Sequence, residues 1–181
     1  MIYLIIGVIA LLVIYVLVTY NGFVRMKNRV DESFSTMDVY LKKRWDLIPN
    51  IVETVKGYAK HEKSTLSEVI KLRNGAYDNM SSDEKIKANQ QLSKGITKIM
   101  ALAEQYPDLK ANENFKDLST QLTKIEDEIA NSRKYYNGTV REFNDKVQMF
   151  PSNIVANIFG YKAKVMFEAN EEERKNVKVS F

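Results

Sequence analysis

Cysteine is absent from the chain, so neither a disulfide framework nor a thiolate metal site can form. A single histidine, His61, excludes a multi-histidine metal cage and paired-histidine chemistry. Only 3 prolines and 7 glycines occur in 181 residues, too few for the tight turns of an all-β fold. No excess of one charge dominates: 27 basic and 23 acidic residues are mixed along the chain, an ordinary solvated surface that excludes nucleic acid as the expected partner. Glycine-rich phosphate loops, GxSxG elbows and kinase signatures are missing, and His61-Glu62 lacks the second histidine that a zinc-binding helix needs. The carboxylates are spread over what read as exposed helix faces. No catalytic residue, metal or cofactor is expected, and the chain does not read as an enzyme.

What the sequence does have begins at residue 1. MIYLIIGVIALLVIYVLVTYNGFV carries no charged side chain, and Ile2 to Val18 is almost wholly apolar. About 20 helical residues cover the ~30 Å hydrocarbon core of a bilayer. A secretory signal would want a basic start and a small-x-small cleavage site, and Val16 to Phe23 offers none. Residues 1–24 therefore read as an uncleaved, single-pass transmembrane anchor, with Tyr3 and Tyr20 placed for the two interfaces. Arg25, Lys27 and Arg29 follow directly, which puts the N-terminus outside and the rest in the cytoplasm. The same cations could hold anionic lipid headgroups.

Residues 25–149 show apolar side chains at alternating steps of three and four, the mark of helices that bury one stripe. The runs are Val30 to Ile48, Val52 to Ala76, Ile86 to Tyr106, and Phe115 to Val147. Ser81 with Glu84 forms a capping box for the third, and YPDLKANEN separates the third from the fourth. Between the first two stands Pro49. Proline is harmless in a first helical turn and costly inside a helix, so Asp46 capping a helix that begins LIPN would make Pro49 a corner. The heptad steps 41, 44, 48, 52, 55 nevertheless run through it without slipping, and one kinked helix is the alternative. Comparable segment lengths favour the corner. The expected fold is then all-α: a single N-terminal transmembrane helix followed by an antiparallel up-and-down four-helix bundle.

After the bundle, Pro151 opens a short amphipathic segment, residues 150–160, bearing Phe150, Ile154, Val155, Ile158 and Phe159 and closed by Gly160. It either lies against the membrane as a second lipid contact or packs back on the bundle. Residues 161–181 read as an extended C-terminal tail. Some polar residues break the heptads: Arg44, Glu62 and Arg73 fall where apolar side chains belong, and such charges must be paired or reach water. Asn137 and Asn144 stack seven apart beside Tyr136 and Phe143, placed to bridge to another helix. Trp45, at the expected distal tip, is a candidate contact anchor or a cover for the end of the core.

NRVDESFSTMDVYLKKRWDLIPNIVETVKGYAKHE, AEQYPDLKANENF and RKYYNGTVREFNDKVQMFPSNIVA resemble the LemA family of bacterial membrane-anchored proteins. The resemblance extends from the anchor to about Phe167, and R-x-D-L-I-P-N with K-G-Y-A-x-H-E is its most specific part. It implies a four-helix bundle behind one anchor, with a corner at Pro49, and supplies no catalytic residues. A magnetosome-associated branch of similar proteins implies a link to membrane shaping. The expected function is a non-enzymatic, homo-oligomeric scaffold that organises or shapes the cytoplasmic membrane. The alternative is an adaptor that binds another membrane protein, a protease or sensor, through the bundle's distal tip. An enzyme built on Arg44, His61 and Glu62 is the remaining option.

Overall fold

The computed structural model describes residues 1–73 and 76–167. The protein is all-α, with no strand among the described residues. Its elements are α1 (Ile2–Tyr58), α2 (Lys63–Leu72), a 3-10 turn (Tyr77–Asn79), α3 (Ser82–Ala103), α4 (Pro107–Ala111), α5 (Glu113–Gln148) and α6 (Ser152–Ile158). Residues 161–167 are irregular, and the VKVSF part of the expected tail lies outside the described residues.

The expectation of a corner at Pro49 is corrected, and the division into four comparable helices changes with it. Helix α1 runs through this proline and ends only at Tyr58. Proline supplies no N–H to the carbonyl four residues earlier and crowds it, which costs about 3 kcal/mol inside a helix. That carbonyl belongs to Trp45, and the Nε–H of Arg73 donates to it at 3.2 Å. Trp45, Ile48, Ile51, Val52 and Val55 are all buried, so the apolar stripe continues on both sides of the proline. Burial of that stripe, with a charged donor at the orphaned carbonyl, outweighs the local penalty.

The chain reverses instead at residues 59–62, where the N–H of Glu62 bonds the carbonyl of Ala59 at 3.1 Å. The expected second helix is thereby reduced to α2, with Leu66 and Val69 buried. A Cβ at Gly95 would meet Val69 and Leu72 at 3.1 and 3.2 Å, so glycine permits the close approach of α3 to α2. Helix α3 begins with the expected capping box: Ser81 and Glu84 satisfy each other's backbone N–H. Asn112 caps the start of α5, its side-chain oxygen accepting from the N–H of Phe115 at 3.0 Å. Phe115, Leu122, Ile129, Tyr136 and Phe143, seven residues apart, are all buried.

Two compact units divide the chain. Unit 1 holds Met1–Thr36 and Ser132–Met166, and unit 2 holds Met37–Asn131 with, of the described C-terminal residues, Phe167. Unit 1 buries Phe23, Val30, Phe34, Val140, Phe143 and Val155, and unit 2 buries Met37, Leu41, Leu92, Ile99, Leu109 and Leu122 among others. In unit 1 almost every large apolar side chain from Ile2 to Val18 is exposed, so α1 presents a helix long and apolar enough to cross a membrane.

Candidate functional site

Two clusters stand out, one in each unit. In unit 2 the heptad of α1 brings Arg44 to a position with 1% exposure, where an apolar residue belongs. A buried guanidinium is tolerable only when its donors are met. Its Nη1 donates to both carboxylate oxygens of Glu126 on α5 and to Ser93 Oγ on α3, each at 2.9 Å. Nη2 donates to the carbonyl of Asn89 at 2.9 Å and to its Oδ1 at 3.0 Å. The Nε–H of Arg44 is buried without an acceptor in the structure.

Asn89, fully buried, extends the network. Its Nδ2 donates to the carbonyl of Lys85 at 3.0 Å and to the Tyr77 hydroxyl at 3.3 Å. That hydroxyl donates to Asp38 Oδ1 at 2.7 Å, and Lys85 Nζ meets the other carboxylate oxygen at 2.6 Å. Burial, reinforced by the neighbouring Asp38 carboxylate, raises the Tyr77 phenol far above its ordinary range. The Trp45 ring covers Tyr77, with centroids 5.1 Å apart. The network ties α1, the 3-10 turn, α3 and α5 together in one register.

The three residues of the enzyme option, Arg44, His61 and Glu62, are not brought together. His61 is exposed on the 59–62 turn and Glu62 precedes α2 without a side-chain cap bond. Arg44 lies 14 residues before the end of α1, about 21 Å along the helix axis. No group of three or more His, Asp or Glu that could hold a metal occurs among the described residues. Trp45 as a contact anchor is also corrected: at 2% exposure it is part of the core. Arg73 serves the backbone of α1, as described above.

In unit 1 the second cluster is aromatic. Phe23 stacks on Tyr161 at 4.8 Å and meets Phe143 edge-on at 6.1 Å, while Tyr20 contacts Phe159 at 4.6 Å. Gly160 makes this possible. At φ 73° it takes the left-handed conformation that closes α6, and the N–H of Tyr161 returns to the carbonyl of Ala156 at 2.9 Å. Asn144 does not bridge to another helix. Its amide pairs in both directions with the backbone of Lys164, at 2.9 and 2.8 Å, and so pins the segment after α6. Asn137 is half-buried on α5.

The basic flank is exposed, with Lys27 paired to Asp31 at 3.1 Å and Arg29 to Glu142 at 3.2 Å. Arg25 and Tyr3 are exposed as well. Lys146 lies across Phe23 at 5.2 Å, and burial, then repulsion from Arg25, lowers its pKa. On α6 and its flanks Phe150, Ile154, Ile158 and Phe159 are exposed, whereas Val155 is 1% exposed and packs inside the unit. Val155 is therefore removed from the proposed lipid-facing set.

The residues missed from sequence are Asp38, Tyr77, Asn89, Ser93 and Glu126. Asn89 carried a signal, since it sits three residues after Ile86 and three before Leu92, on the buried stripe of α3.

Comparison with known proteins agrees with the family resemblance. A chain named Protein LemA from Metamycoplasma hominis is 28% identical over 162 residues, covering 88% of this chain and 74% of that one. Magnetosome protein MamQ 2 of Paramagnetospirillum magneticum is 27% identical over 178 residues, covering 84% of this chain and 65% of its own length. Magnetosome protein MamQ of Magnetospirillum gryphiswaldense is 26% identical, with 81% and 63% covered. The chain thus spans slightly under two thirds of these magnetosome proteins. The LemA family profile matches residues 33–181, which include both clusters except Tyr20, Phe23 and the basic flank. With most of its length matched, the chain belongs to the LemA family.

Proposed function

We propose that the protein is a non-enzymatic, membrane-anchored scaffold that self-assembles and organises or shapes the membrane it sits in. The observation that carries this reading is the run of exposed apolar side chains from Ile2 to Val18, on a helix that continues without a break into the folded chain. Arg25, Lys27 and Arg29 below it favour an outside N-terminus and a cytoplasmic body. The exposed Phe150, Ile154 and Ile158 supply a second apolar surface in the same unit. In this reading α1, α3 and α5 of unit 2 form an antiparallel bundle with α2 on its flank, held in register by Arg44. Tethering in a plane raises effective concentration, so weak lateral contacts suffice for assembly. The names of the magnetosome relatives point toward a membrane-bounded setting.

The test is the mass of the full-length protein in mild detergent, beside a fragment starting at Val24. A large, defined particle for the full-length chain supports assembly. Monomers in both, together with vesicles left undeformed at high protein density, overturn it.

One observation favours the adaptor reading. In unit 2 a cleft of about 910 Å³ is lined by Val52, Ala59, Leu66 and Ile70 together with polar residues that include Lys56 and His61. It replaces Trp45 as the contact surface. Ile70→Glu with His61→Glu should then abolish crosslinking to a foreign protein while leaving self-association intact, and loss of neither removes this reading.

A further inference from the structure

A second cleft, of about 430 Å³, opens in unit 1 where the apolar run of α1 ends. Four rings, Tyr20, Phe143, Phe159 and Tyr161, line it, together with three amines, Lys27, Lys162 and Lys164. This is not a loose collection of surface lysines. Lys164 is held by the paired amide of Asn144, and the Gly160 turn with the Tyr161–Phe23 stack fixes the entry to that segment. Asp31 accepts from Lys27 at 3.1 Å and from Lys164 at 2.8 Å, so one negative charge stands among three positive ones. Burial opposes the charge on Asp31, but the two lysines outweigh it and hold its carboxyl below the usual range.

The depth of the cleft selects its ligand. Tyr20 and Lys27 are seven residues apart on one face of α1, a rise of about 10 Å. The headgroup layer on each side of the hydrocarbon core is roughly 5–8 Å thick. With the Tyr20 ring at the boundary of that core, the amines fall at phosphate depth, since helical side chains lean back toward the N-terminus. On the same face, three and seven residues before Tyr20, Leu17 and Val13 are 56% and 53% exposed. They offer an apolar track that leads out of the cleft along the anchor. A free phosphate would use the amines and leave that track bare.

We propose that this cleft binds the phosphate group of an anionic phospholipid, whose acyl chains lie along Val13 and Leu17. The inference rests on the anchored reading of residues 1–24 and names the lipid chemistry that this reading leaves open.

The experiment is native mass spectrometry of the full-length protein in mild detergent, with equal amounts of phosphatidylglycerol and phosphatidylcholine added. Wild-type protein should retain one phosphatidylglycerol in at least tenfold preference. Lys27→Gln, Lys162→Gln and Lys164→Gln combined should erase the preference, and the same three changed to Arg should keep it. A control triple, Lys60→Gln, Lys63→Gln and Lys71→Gln, should leave it untouched. Circular dichroism on each variant separates lost binding from lost folding, with the arginine set as the variant that preserves the ion pairs. Equal retention of both lipids by the wild type overturns the proposal, as does displacement of the lipid by millimolar inorganic phosphate. Flotation with pure phosphatidylcholine vesicles reads the anchor alone. Flotation without selective retention defeats the cleft and spares the anchor, whereas absence of flotation defeats both.

Discussion

Unit 1 closes on rings, with Phe23, Phe143 and Tyr161 in mutual contact, and its buried polar groups include a neutral hydroxyl pair, Ser33 with Thr139 at 2.8 Å. Unit 2 closes around a full charge, the guanidinium of Arg44. The two solutions specify structure differently. Ring contacts draw on dispersion and area, which change gradually as surfaces shift. A guanidinium fork has fixed donor directions, and only one arrangement of Asn89, Ser93 and Glu126 meets them. A helix that slipped by one residue would strand a buried charge. Unit 2 is therefore held in register by a penalty for error, and unit 1 by the sum of many small attractions.

The sharpest way to break this contrast is Arg44→Leu. It removes the charge but leaves the side-chain oxygen of Asn89 and part of Glu126 without a donor, and should destabilise unit 2 by about 3–5 kcal/mol. Trp45 is the one tryptophan in the chain and lies in unit 2, so its emission during urea unfolding in detergent reports that loss. A cost below about 1 kcal/mol would mean that packing alone sets the register. Phe143→Ala should cost unit 1 about 3–4 kcal/mol through its cavity. Its readout is faster amide hydrogen exchange from Ala156 to Tyr161.

A pH series sharpens the comparison further, because the polar network of unit 2 includes a titrating group. Tyr77 has its pKa raised by burial and by Asp38. The fold thus prefers the neutral phenol, a contribution fully present below the unfolded value of about 10 and lost as pH rises above it. Stability read at Trp45 should fall by about 1.4 kcal/mol per pH unit in that range. Tyr77→Phe should lack this dependence, and an identical slope in both proteins would show that another group is responsible. The smallest effect concerns Pro49 and Arg73. Arg73→Leu should cost about 1 kcal/mol in the native background and close to nothing after Pro49→Ala, since alanine supplies the N–H that the Trp45 carbonyl lacks.

How far these features could be read in advance depended on how local their causes are. The apolar period of α5 and the capping box at Ser81 are written within a few residues, and both stand where the sequence places them. Arg44 and Arg73 stand out as misfits in the heptads, and Asn144 as a polar residue beside the seam. Their partners do not, because Glu126, the Trp45 carbonyl and the Lys164 backbone come from distant parts of the chain. The passage of α1 through Pro49 is hidden for the same reason: the group that compensates for the proline lies 24 positions later in the sequence. The turn at residues 59–62 has no proline and no glycine within it, so nothing local announced it.

The hydrogen bond from Arg73 to the Trp45 carbonyl also constrains how the sequence can drift. If Arg73 is exchanged first, the lineage passes through a chain with a bare carbonyl in α1. If Pro49 is exchanged first, the new backbone N–H takes over and Arg73 becomes free to vary. The two orders of substitution are not equivalent, and the neutral route between descendants opens at the proline.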